Sequence, residues 1–122
     1  MTYSLLVRCP RSGRFGIAMA SYSLAIGRLT DGNRANVGVS VSQGFPNPAN
    51  NFLAMNLLAA GFTASHTLGD LLANDPHNEW RQIVVVDRTG ADELMLTIQA
   101  PEYGIREHTL DEAARMFAAE SV

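Results

Sequence analysis

Four consecutive β-branched residues, Ile83 to Val86, constrain the fold of this chain most. An apolar run this short is typical of a strand that is buried on both faces. Asp87 to Gly90 follows as a turn, and the segment Glu93–Ile98 returns as a second strand. The sequence therefore predicts an antiparallel strand pair with a fully buried member.

Two helical segments precede this strand. Asn47 is a capping residue in front of Pro48, which suits the first position of a helix because its missing N–H has no partner to lose. That helix is predicted to end at Gly61. Thr63 caps a second helix that ends near Pro76. A link this short predicts that the two helices pack as a hairpin.

The N-terminal part has the pattern of strands. Tyr3–Arg8 and Phe15–Ser21 are predicted to pair as a hairpin around the turn of Cys9–Gly13. Gly27–Asn36 shows no periodicity and is interpreted as a loop. Val37–Val41 alternates apolar and small residues, so one face of this strand would be thin enough for another backbone or a ligand to approach closely.

The resulting order of elements is β-β-loop-β-α-α-β-β-α. Its last helix is predicted from the capping box formed by Thr109 and Glu112, and it runs to about Ala119. Hairpins of strands combined with consecutive helices indicate an α+β layered domain and not a doubly wound sheet. We find no repeat or linker, so residues 1–122 are interpreted as a single domain.

The charged residues exclude several chemistries. All nine basic residues are arginines, so a Schiff base, a Ser–Lys dyad and a P-loop lysine are impossible within this sequence. The formal net charge of -3 argues against a nucleic-acid partner. Cys9 is the one cysteine, which fits a reducing compartment. No apolar run approaches a membrane span and no signal peptide is evident, so we expect a soluble, cytoplasmic protein with no membrane partner.

Several segments in this order resemble a known family. They are Thr2-Tyr3-Ser4, Gly16–Ser21, Val37–Gln43, Asn47-Pro48, Asp75-Pro76, Trp80–Gln82 and Val84–Asp87. The pattern resembles the bacterial and archaeal family called domain of unknown function 1028, which is assigned to the Ntn-hydrolase superfamily. The resemblance covers about residues 2 to 90, and beyond them the chain departs from the pattern and is shorter than most members of the family.

The resemblance implies an αββα sandwich of antiparallel sheets, here abbreviated or completed by oligomerisation. It also implies amide hydrolysis in which the residue at the mature N-terminus is the nucleophile. Thr2 is the candidate, because removal of Met1 would give it a free α-amine that can act as general base near neutral pH. Ser21, at the end of the second strand, is a candidate proton relay, and Gln43 a candidate for orienting a substrate or an oxyanion. Each also has a simple structural interpretation, as a chain start, a strand-edge residue or a turn residue.

Ser42, Asn47 and Arg81 are candidates for binding substrate. The amide of Asn47 lies beside a helix N-terminus, and Arg81 could hold a carboxylate through two hydrogen bonds. The alternatives are that Asn47 only caps its helix and that Arg81 pairs with a nearby carboxylate. His66 and Asp70 share a helix face, but two ligands do not define a metal site, so we expect neither a metal nor another cofactor.

Two functional hypotheses follow. The first is an Ntn-type amidohydrolase that acts on a small amide or cyclic amide through Thr2. The alternative is a non-catalytic Ntn-like binding or assembly subunit, suggested by the short C-terminal part and by the absence of lysine. Both predict self-association into a homo-oligomer or assembly into a hetero-oligomer, because an open sheet edge invites pairing.

Overall fold

The computed structural model of the chain describes residues 2–90 and 92–96. Within them it is an α+β protein with two antiparallel sheets and three α-helices. The strands are β1 Thr2–Arg8, β2 Phe15–Ser21, β3 Asp31–Arg34, β4 Gly38–Gly44, β5 Arg81–Asp87 and β6 Asp92–Leu96. The helices are α1 Gly27–Thr30, α2 Pro48–Ala59 and α3 Ala64–Asn74, and a single 3₁₀ turn covers Asn78–Trp80. The predicted helix of residues 109–119 lies outside the described residues.

The predicted N-terminal hairpin is confirmed. Strands β1 and β2 pair antiparallel, from Thr2 opposite Ser21 to Arg8 opposite Phe15, and form a two-stranded sheet. In the turn, the N–H of Gly13 donates to the carbonyl of Cys9 at 2.8 Å, and Gly13 has a φ of 67°. Glycine adopts this left-handed conformation without steric cost, which is why the chain can reverse here.

The second sheet has the order β3-β4-β5-β6, and it corrects one prediction. The segment interpreted as a loop, Gly27–Asn36, contains α1 and the short strand β3. Strand β3 is polar and lacks the alternation that marks a strand. It lies at the edge of the described sheet, and backbone hydrogen bonds to β4 hold it there without an apolar face. Strand β4 also extends to Gly44, past the predicted end at Val41.

The two central helices and their caps are confirmed. The side chain of Asn47 accepts a hydrogen bond from the N–H of Ala49 at 3.1 Å, and that of Thr63 accepts from the N–H of His66 at 3.2 Å. Helices α2 and α3 pack together on the four-stranded sheet. The core between them and β5 consists of Ala54, Met55, Leu58, Ala64, Leu68, Leu71, Ile83 and Val85.

The two faces of β4 have different neighbours. On one face, Ser40 donates to Oδ1 of Asn51 in α2 at 2.9 Å, and a Cβ placed on Gly38 would lie 2.7 Å from Cδ1 of Leu58. The small residues on this face of β4 therefore let α2 pack closely against the strand, as the sequence predicts. The opposite face, which carries Gln43, lies against the β1–β2 hairpin. The four-stranded sheet is thus covered by helices on one side and by the hairpin on the other.

Helix α3 and strand β5 are joined at both ends by carboxylates. At the start of α3, the N–H of Ala64 donates to Asp87, the last residue of β5, at 3.1 Å. Just after the end of α3, Asp75 accepts from Nε of Arg81, the first residue of β5, at 2.9 Å. We call this pair of contacts the α3–β5 clasp.

Candidate functional site

Thr2 and Ser21 form a hydroxyl pair at the open end of the hairpin. They are directly opposite each other in the register of β1 and β2, and Oγ1 of Thr2 lies 2.9 Å from Oγ of Ser21. Both residues are half-buried. The hairpin geometry thus brings together the two hydroxyls that the sequence analysis selected as nucleophile and proton relay.

A chain of polar side chains connects the hairpin to the four-stranded sheet beside this pair. Ser4 donates to Oε1 of Gln43, and Nε2 of Gln43 donates to Oε1 of Gln82 at 2.8 Å. Ser4 lies on the same face of β1 as Thr2, about 7 Å further along the strand. The amide nitrogen of Gln43 has two N–H groups, and one of them donates to Gln82. Among residues 2–90 and 92–96 the other N–H has no acceptor, so it is available there to a further acceptor.

The direction of β1 locates Thr2 at one end of the four-stranded sheet. Ser4 contacts Gln43 near the end of β4, whereas Arg8 reaches the turn at Gly90, beyond the end of β5. Following β1 backwards from Ser4, Thr2 is therefore at the end of the sheet where β4 finishes and β5 begins. Gln43 and Gln82 form the rung of the β4–β5 ladder next to this end.

An aromatic recess lies at the same end of the sheet. It is lined by Phe45, His77, Trp80 and Arg81 and has a volume of about 360 Å³. The rings of Phe45 and Trp80 meet edge to face, with centroids 6.0 Å apart, and both side chains are more than half exposed. Aromatic walls suit the apolar body of a small ligand.

Arg81 is held by the protein itself. Its Nε and Nη2 donate to the two oxygens of Asp75 at 2.9 and 3.3 Å, and its Nη1 donates to the carbonyl of Phe45. Asp75 is almost completely buried and also accepts from the amides of Asn47 and Asn50, at 3.2 and 2.8 Å. The Arg81 guanidinium, helped by these amides, holds the pKa of Asp75 well below its usual range despite burial.

The structure separates the predicted site residues into two groups. Thr2, Ser21 and Gln43 lie on the side of the sheet that faces the hairpin. Ser42 is fully buried and faces α2, and its hydroxyl accepts from the N–H of Asn47 at 3.4 Å. Asn47 caps α2 and contacts Asp75. Arg81 belongs with them, because it donates to Asp75. No contact of the described residues links Ser42, Asn47 or Arg81 with Thr2, and their substrate-binding roles stay predictions.

Some residues of the site were missed from the sequence. Ser4 and Gln82 extend the polar chain, and Phe45 forms the recess with Trp80. Strand parity could have indicated Ser4, because it shares a face with Thr2. Gln82 and Phe45 gave no local signal, since their positions depend on how two sheets stack and on which strands are neighbours.

Neither a metal cluster nor a spanning helix occurs in the described part of the chain. Residues 2–90 and 92–96 contain no group of three or more His, Cys, Asp or Glu side chains arranged to hold a metal ion. None of the helices within these residues is both long and apolar enough to cross a membrane.

Comparison with known proteins gives the family. The chain matches the model described as "Family of unknown function (DUF1028)" over residues 2–110, so the match continues beyond residue 90, where the resemblance seen in the sequence ended. The chain belongs to this family. No curated protein matches it.

A solved structure of the same family has a similar fold. It is the crystal structure of protein SPO2555 from Silicibacter pomeroyi, assigned to DUF1028, with a TM-score of 0.74 and 26% sequence identity. The match covers 79% of this chain and 43% of that protein, so the chain spans less than half of its length.

Proposed function

We propose that this protein is an Ntn-type amidohydrolase that cleaves a small amide or cyclic amide through Thr2, on a fold related to the αββα sandwich. The observation that carries the proposal is the contact of 2.9 Å between Oγ1 of Thr2 and Oγ of Ser21. A nucleophilic hydroxyl needs a partner that can accept or relay its proton. Ser21 is in position to do so, and the polar chain from Ser4 to Gln82 lies beside it.

The mechanism needs Thr2 to have a free α-amine. The amine, with an ordinary pKa near 8, takes the proton of the hydroxyl, directly or through Ser21, and Oγ1 attacks the substrate carbonyl. The remaining N–H of Gln43 stabilises the oxyanion. The tetrahedral intermediate then collapses and expels the amine of the substrate, which takes the proton held by the α-amine of Thr2. The acyl part of the substrate stays bound to Oγ1 of Thr2 as an ester. Water then hydrolyses the ester and restores the hydroxyl.

The recess indicates the substrate class. Phe45 and Trp80 offer apolar ring surface at the end of the sheet where Thr2 lies, although Arg81, which also lines the recess, contacts Asp75 on the helix-covered side. That one substrate occupies the recess and also reaches Thr2 is part of the proposal. A flat, mostly apolar ring such as that of a cyclic amide suits these walls. Arg81 contributes as a support of the recess, because its Nε, Nη1 and Nη2 each donate to a protein oxygen.

The test begins with the intact mass of the protein, to verify that Thr2 is the first residue. The verified protein is then assayed against a panel of small linear and cyclic amides. We expect Thr2→Ala to abolish turnover and Thr2→Ser to retain part of it. Ser21→Ala should lower kcat by about 10²-fold, within the range of lost proton transfer.

Ser23→Ala is the matched control. This serine is exposed, and its backbone N–H, not its hydroxyl, contacts Ser21. The amidase activity of Ser23→Ala should equal that of the unchanged protein. Turnover that survives in Thr2→Ala, or no turnover of any amide by protein with a verified free Thr2, contradicts the proposal.

A non-catalytic binding or assembly subunit is the second candidate. Tyr22 and Leu24 favour it, because these apolar side chains, which follow Ser21, are 96% and 97% exposed. Large apolar groups so completely exposed in one loop are typical of a surface that meets a partner. This candidate predicts association without amide turnover.

A further inference from the structure

Five arginines lie at the end of the sheets opposite Thr2. By register, Arg34 at the end of β3 is opposite Gly38, which is opposite Asp87 at the end of β5. The hairpin turn reaches the same end, because Arg8 approaches Gly90. We call this group the arginine end; its members, placed there by the ends of their strands and turns, are Arg8, Arg11, Arg14, Arg34 and Arg88. The guanidinium of Arg88 lies near Gly61, between α2 and α3.

Arg8 lies between two glycine turns. A Cβ placed on Gly90 would be 3.3 Å from Cδ and 3.6 Å from Nη1 of Arg8, and one placed on Gly13 would be 3.7 Å from Nη2. Both glycines have left-handed φ values, 87° and 67°. A side chain at Gly90 would press on Cδ of Arg8, whereas its distances to the guanidinium nitrogens are those of ordinary van der Waals contact. The two turns therefore flank the Arg8 side chain closely.

Arg8 is half-buried as a residue. Its Nε is buried and has no hydrogen-bond partner among residues 2–90 and 92–96. The ion pairs within those residues are His66 with Asp70 and Arg81 with Asp75, so no member of the arginine end takes part in one there. Asp87, the nearby carboxylate, is buried and accepts from Ala64 and Thr89. A buried charged donor without an acceptor is unfavourable, and an anionic ligand would supply the acceptor.

We propose that the arginine end binds a small phosphate-bearing anion, with Arg8 as its central ligand. The planar fork of a guanidinium matches the oxygens of a phosphate group, and neighbouring arginines add to the attraction. A small ligand fits better than a nucleic acid, because the chain as a whole carries a net charge of -3 and would repel a long polyanion. This site is independent of the proposed hydrolase site, since it lies at the opposite end of the sheets.

The test is isothermal titration calorimetry of the full chain with inorganic pyrophosphate at low ionic strength. We expect saturable binding that weakens as salt is added, because salt screens the arginines. Arg8→Gln should lower the affinity at least tenfold. The matched control is Arg28→Gln, since Arg28 is an exposed arginine of α1, before the start of β3 and away from the arginine end; it should leave the affinity unchanged.

A second measurement keeps the test decisive if Arg8→Gln does not fold. The double variant Arg14→Gln/Arg88→Gln changes two exposed side chains of the same end and should also weaken pyrophosphate binding. In the unchanged protein, pyrophosphate should slow alkylation of Cys9, the neighbour of Arg8 in the chain. Absence of binding at millimolar pyrophosphate, or equal losses in the Arg14/Arg88 and Arg28 variants, would overturn the proposal.

Discussion

Asp75 is the residue whose replacement should cost the most stability. Its side chain is 1% exposed and its partner Arg81 is 12% exposed, so Asp75→Asn leaves a largely buried guanidinium without a counter-charge. We expect the free energy of unfolding to fall by about 3 kcal/mol. The measurement is urea denaturation followed by the fluorescence of Trp80, the single tryptophan.

Asp70→Asn is the control for this prediction. Asp70 pairs with His66 at 3.4 Å, but both side chains are about half exposed. Pairs of this kind contribute little because water screens them, so the loss should be below about 0.5 kcal/mol. Equal losses of unfolding free energy in the two variants would show that the buried pair stabilises the protein no more than the exposed pair does.

The same carboxylate predicts a dependence of stability on pH. Arg81 lowers the pKa of Asp75 in the folded state below the value of about 3.9 expected in the unfolded chain. A depressed folded pKa stabilises the protein above the unfolded pKa, and this stabilisation is lost as the pH falls through and below about 4. The difference in stability between the unchanged protein and Asp75→Asn should therefore shrink between about pH 5 and pH 2. A constant difference over this range would contradict the assignment.

Cys9 should be more reactive than an ordinary surface thiol. The hydroxyl of Ser12, then the N–H groups of Ser12 and Arg11, stabilise its thiolate and lower its pKa. We expect Ser12→Ala to slow alkylation of Cys9 by iodoacetamide near pH 7, where the thiolate fraction limits the rate. Unchanged kinetics would mean that the Ser12 hydroxyl does not contribute.

At the scale of elements, contact between α2 and β4 depends on a residue without a side chain. A Cβ at Gly38 would lie 2.5 Å from the carbonyl oxygen of Val86 and 2.7 Å from Leu58. Backbone cannot move away as a flexible side chain can, so Gly38→Ala should destabilise the protein by about 2 kcal/mol. Gly69→Ala on α3 is the matched control, because nothing lies within 4 Å of its added Cβ. It should stabilise the helix by up to about 1 kcal/mol, and thermal unfolding measures both changes.

The elements that could be predicted are those whose signals are local. Asn47 and Thr63 cap their helices with their own side chains, and the register of the hairpin follows from a single turn, which also placed Thr2 opposite Ser21. Strand β3 was missed because its residues have no strand pattern of their own, and its extended conformation depends on pairing with β4. Ser4 and Gln82 were missed because their contact with Gln43 depends on two sheets stacking in a particular register.

At the scale of the whole molecule, the loop after β2 should govern association. Tyr22 and Leu24 are almost fully exposed. If this loop meets a second copy, the protein should be larger than a monomer in light scattering at high micromolar concentration. Replacing both residues with serine should shift it to the monomer, whereas Phe52→Ser, which changes an exposed residue of α2, should not. A monomer in all three samples would remove the support for the assembly hypothesis.

The α3–β5 clasp has a consequence for how the molecule opens. Because Asp87 is tied to the first residue of α3 and Asp75 to the first residue of β5, neither element can fray alone without breaking a buried contact of the other. The amide hydrogens of α3 and β5 should therefore exchange with solvent as one cooperative unit, more slowly than those of the β1–β2 hairpin. Substitution of either Asp75 or Asp87 should therefore speed hydrogen exchange along the whole of α3, at the end that lies away from the substituted carboxylate as well as at the end beside it.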